Sequence, residues 1–136
     1  MRIGLIGLGR IGAFHAATLA HLSIVDTLVV ADAVPAAIEK VVATLGATPA
    51  DSVEELLAAV DGVVVAASTD AHPKLILAAV EAGVPVFCEK PVARAAAEAA
   101  DVLRRAEELA EREEATRRMI RAGRTVDELL AEFGRL

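Results

Sequence analysis

Ile3-Gly4-Leu5-Ile6-Gly7-Leu8-Gly9-Arg10-Ile11-Gly12 is the stretch on which the fold of this chain turns. Its first four residues form a short apolar run with strand propensity, and the last six read G-x-G-x-x-G. Ala13 to Leu22 then carries apolar residues at helical spacing. A strand, this glycine pattern and a helix, in that order, give the motif the context it lacks alone. Gly7 permits the tight turn, Gly9 lets a pyrophosphate approach the backbone, and Gly12 lets the helix pack closely on the strand. Arg10 and Ile11 sit within the same phosphate-facing turn. The helix N-terminus adds unpaired N–H groups and a partial positive charge. A glycine-rich turn that binds nothing is the bland alternative, and the residues further along weigh against it.

Sheet-like and helical stretches alternate downstream. Thr27 to Asp32 reads as a second buried strand, apolar and β-branched until it ends in an acid. Pro35 to Leu45 is a helix with proline in its first turn and Gly46 past its end. Ala47-Thr48 is a very short third strand, and Asp51 or Ser52 caps a helix running to about Val60. Gly62 to Ala67 is the fourth strand, His72 or Pro73 to Ala82 a helix closed by Gly83, and Val84 to Glu89 the fifth strand. This alternation predicts an α/β fold, a doubly wound parallel Rossmann-type sheet in three layers, in the strand order 3-2-1-4-5.

Asp32 lies 20 positions after Gly12, at the end of the second strand. An acid there accepts the ribose hydroxyls of an adenosine, and its charge opposes a 2′-phosphate. Ala33 supplies no arginine to neutralise such a phosphate. The expected cofactor is therefore NAD in preference to NADP. A turn or helix-capping aspartate is the plainer alternative.

The composition narrows the function classes. The 136 residues are 55% hydrophobic, enough for a sizeable core in one domain of ordinary size. A net charge of −6 excludes nucleic acid as the main partner, because phosphate backbones call for a basic footprint. Phe14, Phe87 and Phe133 are the only aromatics, too few for a base- or sugar-stacking platform. No apolar run approaches the ~20 residues of a membrane span. A single cysteine, Cys88, fits a reducing cytoplasm and reads as a small core residue. His15 and His21 have no acid or thiol at ligand spacing, so no metal is expected.

Ser68-Thr69-Asp70-Ala71-His72 and Glu89-Lys90-Pro91 each follow the C-terminal end of a strand, where open α/β sheets bind ligands. Taken singly, His72 could cap a helix and Lys90 could be a solvated side chain. Together with G-L-G-R-I-G, Asp32, A-G-V-P-V at 82–86 and C-E-K-P at 88–91, they resemble the glucose–fructose oxidoreductase/inositol dehydrogenase family, and within it the inositol 2-dehydrogenase type. The resemblance covers about residues 1–95. It implies an NAD(P)-binding domain in which Lys90 reaches the nicotinamide end and the reacting hydroxyl of a sugar or polyol. It places Thr69 and His72 on the nicotinamide side, counts Ser68 among the cofactor-binding residues, and has Glu89 and Pro91 shape the loop. The family's T-P-T is here Ala67-Ser68-Thr69, which changes the loop backbone.

Composition shifts near Ala93. Residues 1–93 hold five Lys/Arg and ten Asp/Glu; residues 94–136 hold nine Arg, no Lys and ten Asp/Glu. The expected division is a cofactor domain over 1–93 and a helical C-terminal extension over 94–136, packed on that domain or pairing with a second copy. Arg94 to Ala122 is one long helical pattern, Gly123 fits its end, and Thr125 to Glu128 is a capping box for a second helix with Val126, Leu129, Leu130 and Phe133 on its apolar face. Family members continue instead into a sixth strand and a large substrate domain bearing a catalytic histidine. The Arg117 to Leu136 stretch resembles the closing helices of the hydroxymethyl-oxoglutarate aldolase-like family, as in a chimera. Two functions are thus expected to compete: an NAD(H)-binding domain that does not turn over polyols alone, and a designed or chimeric scaffold without activity. A helper subunit recruiting a partner through its tail is a third.

Overall fold

Five parallel strands stand in the order β3-β2-β1-β4-β5 in the computed structural model, which describes residues 1–121. They are β1 (Arg2–Ile6), β2 (Thr27–Ala31), β3 (Thr48–Pro49), β4 (Gly62–Val65) and β5 (Val86–Cys88). The order is the one the alternation predicts, with the strand before the glycine turn at the centre. Leu5 lies opposite Val30 and Val64.

The inner strands β1, β2 and β4 are mostly apolar because both sheet faces are covered there. Leu5, Leu28 and Val30 pack on one face with Ala16 of α1 (Arg10–Ala20) and Val41 of α2 (Pro35–Leu45). Ile6, Val29, Val63 and Val65 point the other way, onto Leu56 and Leu57 of α3 (Val53–Ala59) and Leu75 and Ala79 of α4 (His72–Glu81). The period-2 alternation of strand side chains divides one continuous apolar run into two cores.

Local signals explain the helix limits. Ser52 Oγ accepts the Glu55 N–H at 3.0 Å, which selects Ser52 over Asp51 as the cap of α3. Gly46 closes α2 in the left-handed region at φ 68°. Several boundaries differ from the sequence expectation, among them β3 at Thr48–Pro49 and the end of β4 at Val65. α1 begins at Arg10, not Ala13, so Gly12 lies inside its first turn. A 3-10 turn at Thr69–Ala71 precedes α4. β5 spans three residues rather than six, and Pro85 just before it has no N–H to give a ladder.

α5 (Ala96–Arg121) packs along α4. Ile76 of α4, Ala93 just before α5, and Val102 of α5 are buried yet belong to neither sheet core. Arg94 pairs with Asp70 across the same junction. Phe87, on the outermost strand, remains 58% exposed. The capping box at Thr125 and the second tail helix lie outside the described residues. Among those described, no helix is long and apolar enough to cross a membrane.

Asp61 ties the start of β4 to β1. Its Oδ2 accepts the Arg2 backbone N–H at 2.6 Å, and its Oδ1 accepts from the Arg2 guanidinium at 3.2 Å. These bonds, the backbone one foremost, hold the carboxyl below its ordinary value of 3.8.

Candidate functional site

The C-terminal ends of β1, β2, β4 and β5 converge on a cleft of about 770 Å³, a size usual for organic ligands. Gly7, Gly9, Arg10, Ile11, Asp32, Ser68, Thr69, His72, Glu89 and Lys90 all line it. Gly12 and Pro91 are not in its wall. Gly12 acts behind the wall instead, since a Cβ there would fall 1.8 Å from the Gly7 carbonyl oxygen.

The glycine turn is built by backbone alone. Gly7 sits at φ 93°, open to glycine and strained for other residues, and donates its N–H to the Ala31 carbonyl at 2.9 Å. Gly9 precedes α1 without a side-chain cap, so the first-turn N–H groups of that helix stay bare toward the cleft. A Cβ added at Gly9 would meet nothing within 4 Å. The chain therefore keeps an empty cradle in front of a helix N-terminus, the arrangement that suits a phosphate group.

Asp32 extends β2 into the cleft. Its Oδ2 accepts the Leu8 N–H at 2.5 Å and its Oδ1 accepts the Val34 N–H at 2.7 Å. Each carboxylate oxygen keeps a second acceptor site, so a diol can still bind there. Ala50, Asp51, Ser52 and Val53 border the same end of the cleft. Sequence reasoning did not single them out; the signal was the neighbouring short strand β3, whose end must lie beside that of β2.

Glu89 and Lys90 mark the far end. Glu89 Oε1 accepts from His15 Nε2 at 2.6 Å, and its Oε2 accepts the Lys90 N–H at 3.2 Å. The His15 hydrogen bond, against an opposing effect of burial, keeps this carboxyl below its ordinary value of 4.5. His15 was missed in the sequence because its partner lies 74 positions away. Its ring is flanked edge-on by Phe14 and Phe87, at 6.1 and 6.2 Å between centroids. His72 reaches the cleft wall but is only 2% exposed, and both ring nitrogens face backbone carbonyls: Nδ1 that of Pro91 at 2.8 Å, Nε2 that of Ala67 at 3.0 Å. The Lys90-Pro91 peptide bond is cis. Cys88 is half-buried, and burial, with Glu89 beside it, pushes its thiol up to about 11, which suits an inert packing residue.

Both depressed carboxylates stabilise the folded chain above their ordinary values, and that contribution is lost as acid protonates them in the fold. Stability should be level near neutrality and decline once the pH passes below about 4.5 for Glu89 and about 3.8 for Asp61. Glu89→Gln and Asp61→Asn should each flatten part of that acid limb in urea-unfolding midpoints measured against pH. Unchanged limbs in both variants would refute the assignment.

A central β1, a glycine turn with bare helix N–H groups and an acid ending β2 define a dinucleotide-binding domain. The chain belongs to the oxidoreductase family with the NAD-binding Rossmann fold, whose pattern matches residues 1–114. It is 50% identical over 95 residues to the myo-inositol dehydrogenase Hyg17 of Streptomyces leeuwenhoekii, covering 68% of this chain and 29% of that protein. It is 39% identical over 94 residues to the inositol 2-dehydrogenase of Rhizobium meliloti, covering 68% and 28%. Among solved structures it resembles the WlbA dehydrogenase of Bordetella pertussis, determined in complex with NADH and UDP-GlcNAcA. That match has a TM-score of 0.70 and 31% identity, over 79% of this chain and 34% of the other. The match thus covers less than a third of the two inositol dehydrogenases and about a third of the WlbA chain. It carries an NAD-binding domain of the inositol dehydrogenase family.

Proposed function

We propose that residues 1–93 bind NAD(H) as the cofactor half of an inositol or polyol 2-dehydrogenase, and that these 136 residues alone turn over little or no polyol. The observation that carries the binding site is the open cradle at Gly9 in front of bare helix N–H groups, with Asp32 beside it. In this assignment the turn from Gly7 to Gly12 holds the pyrophosphate, with Arg10 and Ile11 at its rim. Asp32 accepts the adenosine ribose hydroxyls. Ser68, Thr69 and the Glu89-Lys90-Pro91 turn border the nicotinamide end, and the Lys90 ammonium polarises a substrate hydroxyl. Bound NAD would supply the hydride acceptor.

NAD should bind at least about tenfold more tightly than NADP, because about 1.4 kcal/mol of like-charge repulsion between Asp32 and a 2′-phosphate is enough for that ratio. Asp32→Ala should narrow the gap. Titration calorimetry with both cofactors provides the check, and equal affinities in the unmodified chain would remove the argument. If neither cofactor bound, the inactive-scaffold alternative would replace this one.

Turnover asks for more than a cofactor cleft. Hydride transfer requires the substrate C–H at near-attack distance and a base within hydrogen-bond reach of the hydroxyl proton. His15 and His72 are both engaged, with Glu89 and with backbone carbonyls respectively. NADH formation from myo-inositol and related polyols at high protein concentration should stay near background. Robust activity that vanishes in Lys90→Ala would show a complete substrate site within this chain.

A further inference from the structure

The turn that carries Lys90 is gripped on both sides by a histidine, while the Lys90 side chain makes no hydrogen bond or close ion pair among the described residues. Glu89, on one side, is bonded at 2.6 Å to His15 of α1. Pro91, on the other, presents its carbonyl 2.8 Å from His72 Nδ1, and His72 Nε2 lies 3.0 Å from the Ala67 carbonyl just past β4. Lys90 lines the cleft, and its ammonium has no hydrogen bond or ion pair among the described residues.

We propose that His15 and His72 are positioning residues that together fix the Lys90 turn over the cleft; this rests on the assignment of Lys90 to the nicotinamide end. A lysine chain has many rotamers, so its ammonium meets a given point at little entropic cost only if its backbone is already ordered. The two grips supply that order from independent elements. His15 is set by its two flanking phenylalanine rings and ties the turn to the helix that follows the glycine loop. His72 is buried, with Nδ1 facing the Pro91 carbonyl and Nε2 the Ala67 carbonyl just past β4. With its proton on Nδ1 the ring donates to Pro91, and with both nitrogens protonated it donates to both carbonyls.

NADH and ADP-ribose separate the two halves of the cleft, since ADP-ribose lacks the nicotinamide. In the full chain, Lys90→Ala should weaken NADH binding about threefold to tenfold, the range of one hydrogen bond, with ADP-ribose held within about twofold. His15→Leu and His72→Leu should show the same split. His15→Gln, whose amide can still donate to Glu89, should restore NADH affinity. Adding His15→Leu to Lys90→Ala should cost nothing further, because each acts through the other. Should His72→Leu fail to fold, His72→Gln takes its place, and the His15 pair still decides. The inference is overturned if Lys90→Ala shows the split while the histidine variants bind NADH as the unmodified chain does. It is equally overturned if the histidine variants lose NADH and ADP-ribose together, the mark of a merely structural role. No split in Lys90→Ala would sink the Lys90 assignment itself and this inference with it.

Discussion

Gly12→Ala should destabilise the fold strongly, whereas Gly9→Ala, three residues earlier, should leave the fold intact and weaken cofactor binding more than about tenfold. The Gly12 Cβ would sit 1.8 Å from the Gly7 carbonyl oxygen and 2.7 Å from its carbon, so backbone would have to move. Gly7 cannot yield easily. Its N–H is spent on Ala31, its φ of 93° is fixed by the turn, and its own α-carbon faces the Ala66–Ala67 backbone. Overpacking against side chains costs about 1–3 kcal/mol, and rigid backbone puts this site at the top of that range. A loss of about 3 kcal/mol should lower the melting temperature by at least about 10 °C. At Gly9, φ −63° and ψ −167° suit alanine, and nothing lies within 4 Å. Its melting temperature should therefore stay within about 2 °C, since surface changes of this kind are close to neutral. The methyl would instead occupy the proposed pyrophosphate cradle and weaken NADH binding by more than about tenfold, or about 1.4 kcal/mol. Calorimetric melting and NADH titration of the two variants test the contrast. A Gly9→Ala chain that binds NADH normally would show that the cradle is not the phosphate site.

What the sequence disclosed and what it concealed follow from the range of each interaction. Strand order was legible because β1, β2, β4 and β5 read as apolar runs joined by helices, a pattern with few packed solutions. The cleft residues were legible because the ends of parallel strands meet at one edge of the sheet, so Gly9, Asp32, Ser68 and Lys90 had to converge. The limits of β5 were not, since the apolar run from Val84 to Cys88 says nothing of where the ladder loses its partner. The grip of His15 on Glu89 was hidden for a related reason. Helical spacing shows which face of α1 a histidine occupies, but not that β5 ends opposite it. His72 shows the reverse. Its position in the motif was plain, yet its burial between two carbonyls depends on the path of residues 89–91, which no local pattern encodes.

Cutting the chain after Ala93 should destabilise the domain strongly, although every cleft residue would remain. α5 covers α4, and Ile76 and Val102 are 5% and 3% exposed at positions outside both sheet cores. Uncovering a buried isoleucine costs about 1.5–3 kcal/mol, and the rest of the α4 outer face adds to it. The lost Arg94–Asp70 pair matters little, because both groups are mostly exposed. A deficit of about 3 kcal/mol is a large share of the 5–15 kcal/mol that holds a domain together. In a chain of this size it should lower the melting temperature by about 10–20 °C. The cut chain would also expose the apolar outer face of α4, which favours association. Val102→Asp in the full chain should reproduce most of the loss by placing a charge in the α4–α5 contact, without shortening anything. If α5 were a passive appendage, both variants would melt with the unmodified chain and elute as it does in size-exclusion chromatography. That result would also place the end of the folding unit at Ala93, as the change in composition there suggests. A shared drop in both would mean that the cofactor domain needs α5 to stand.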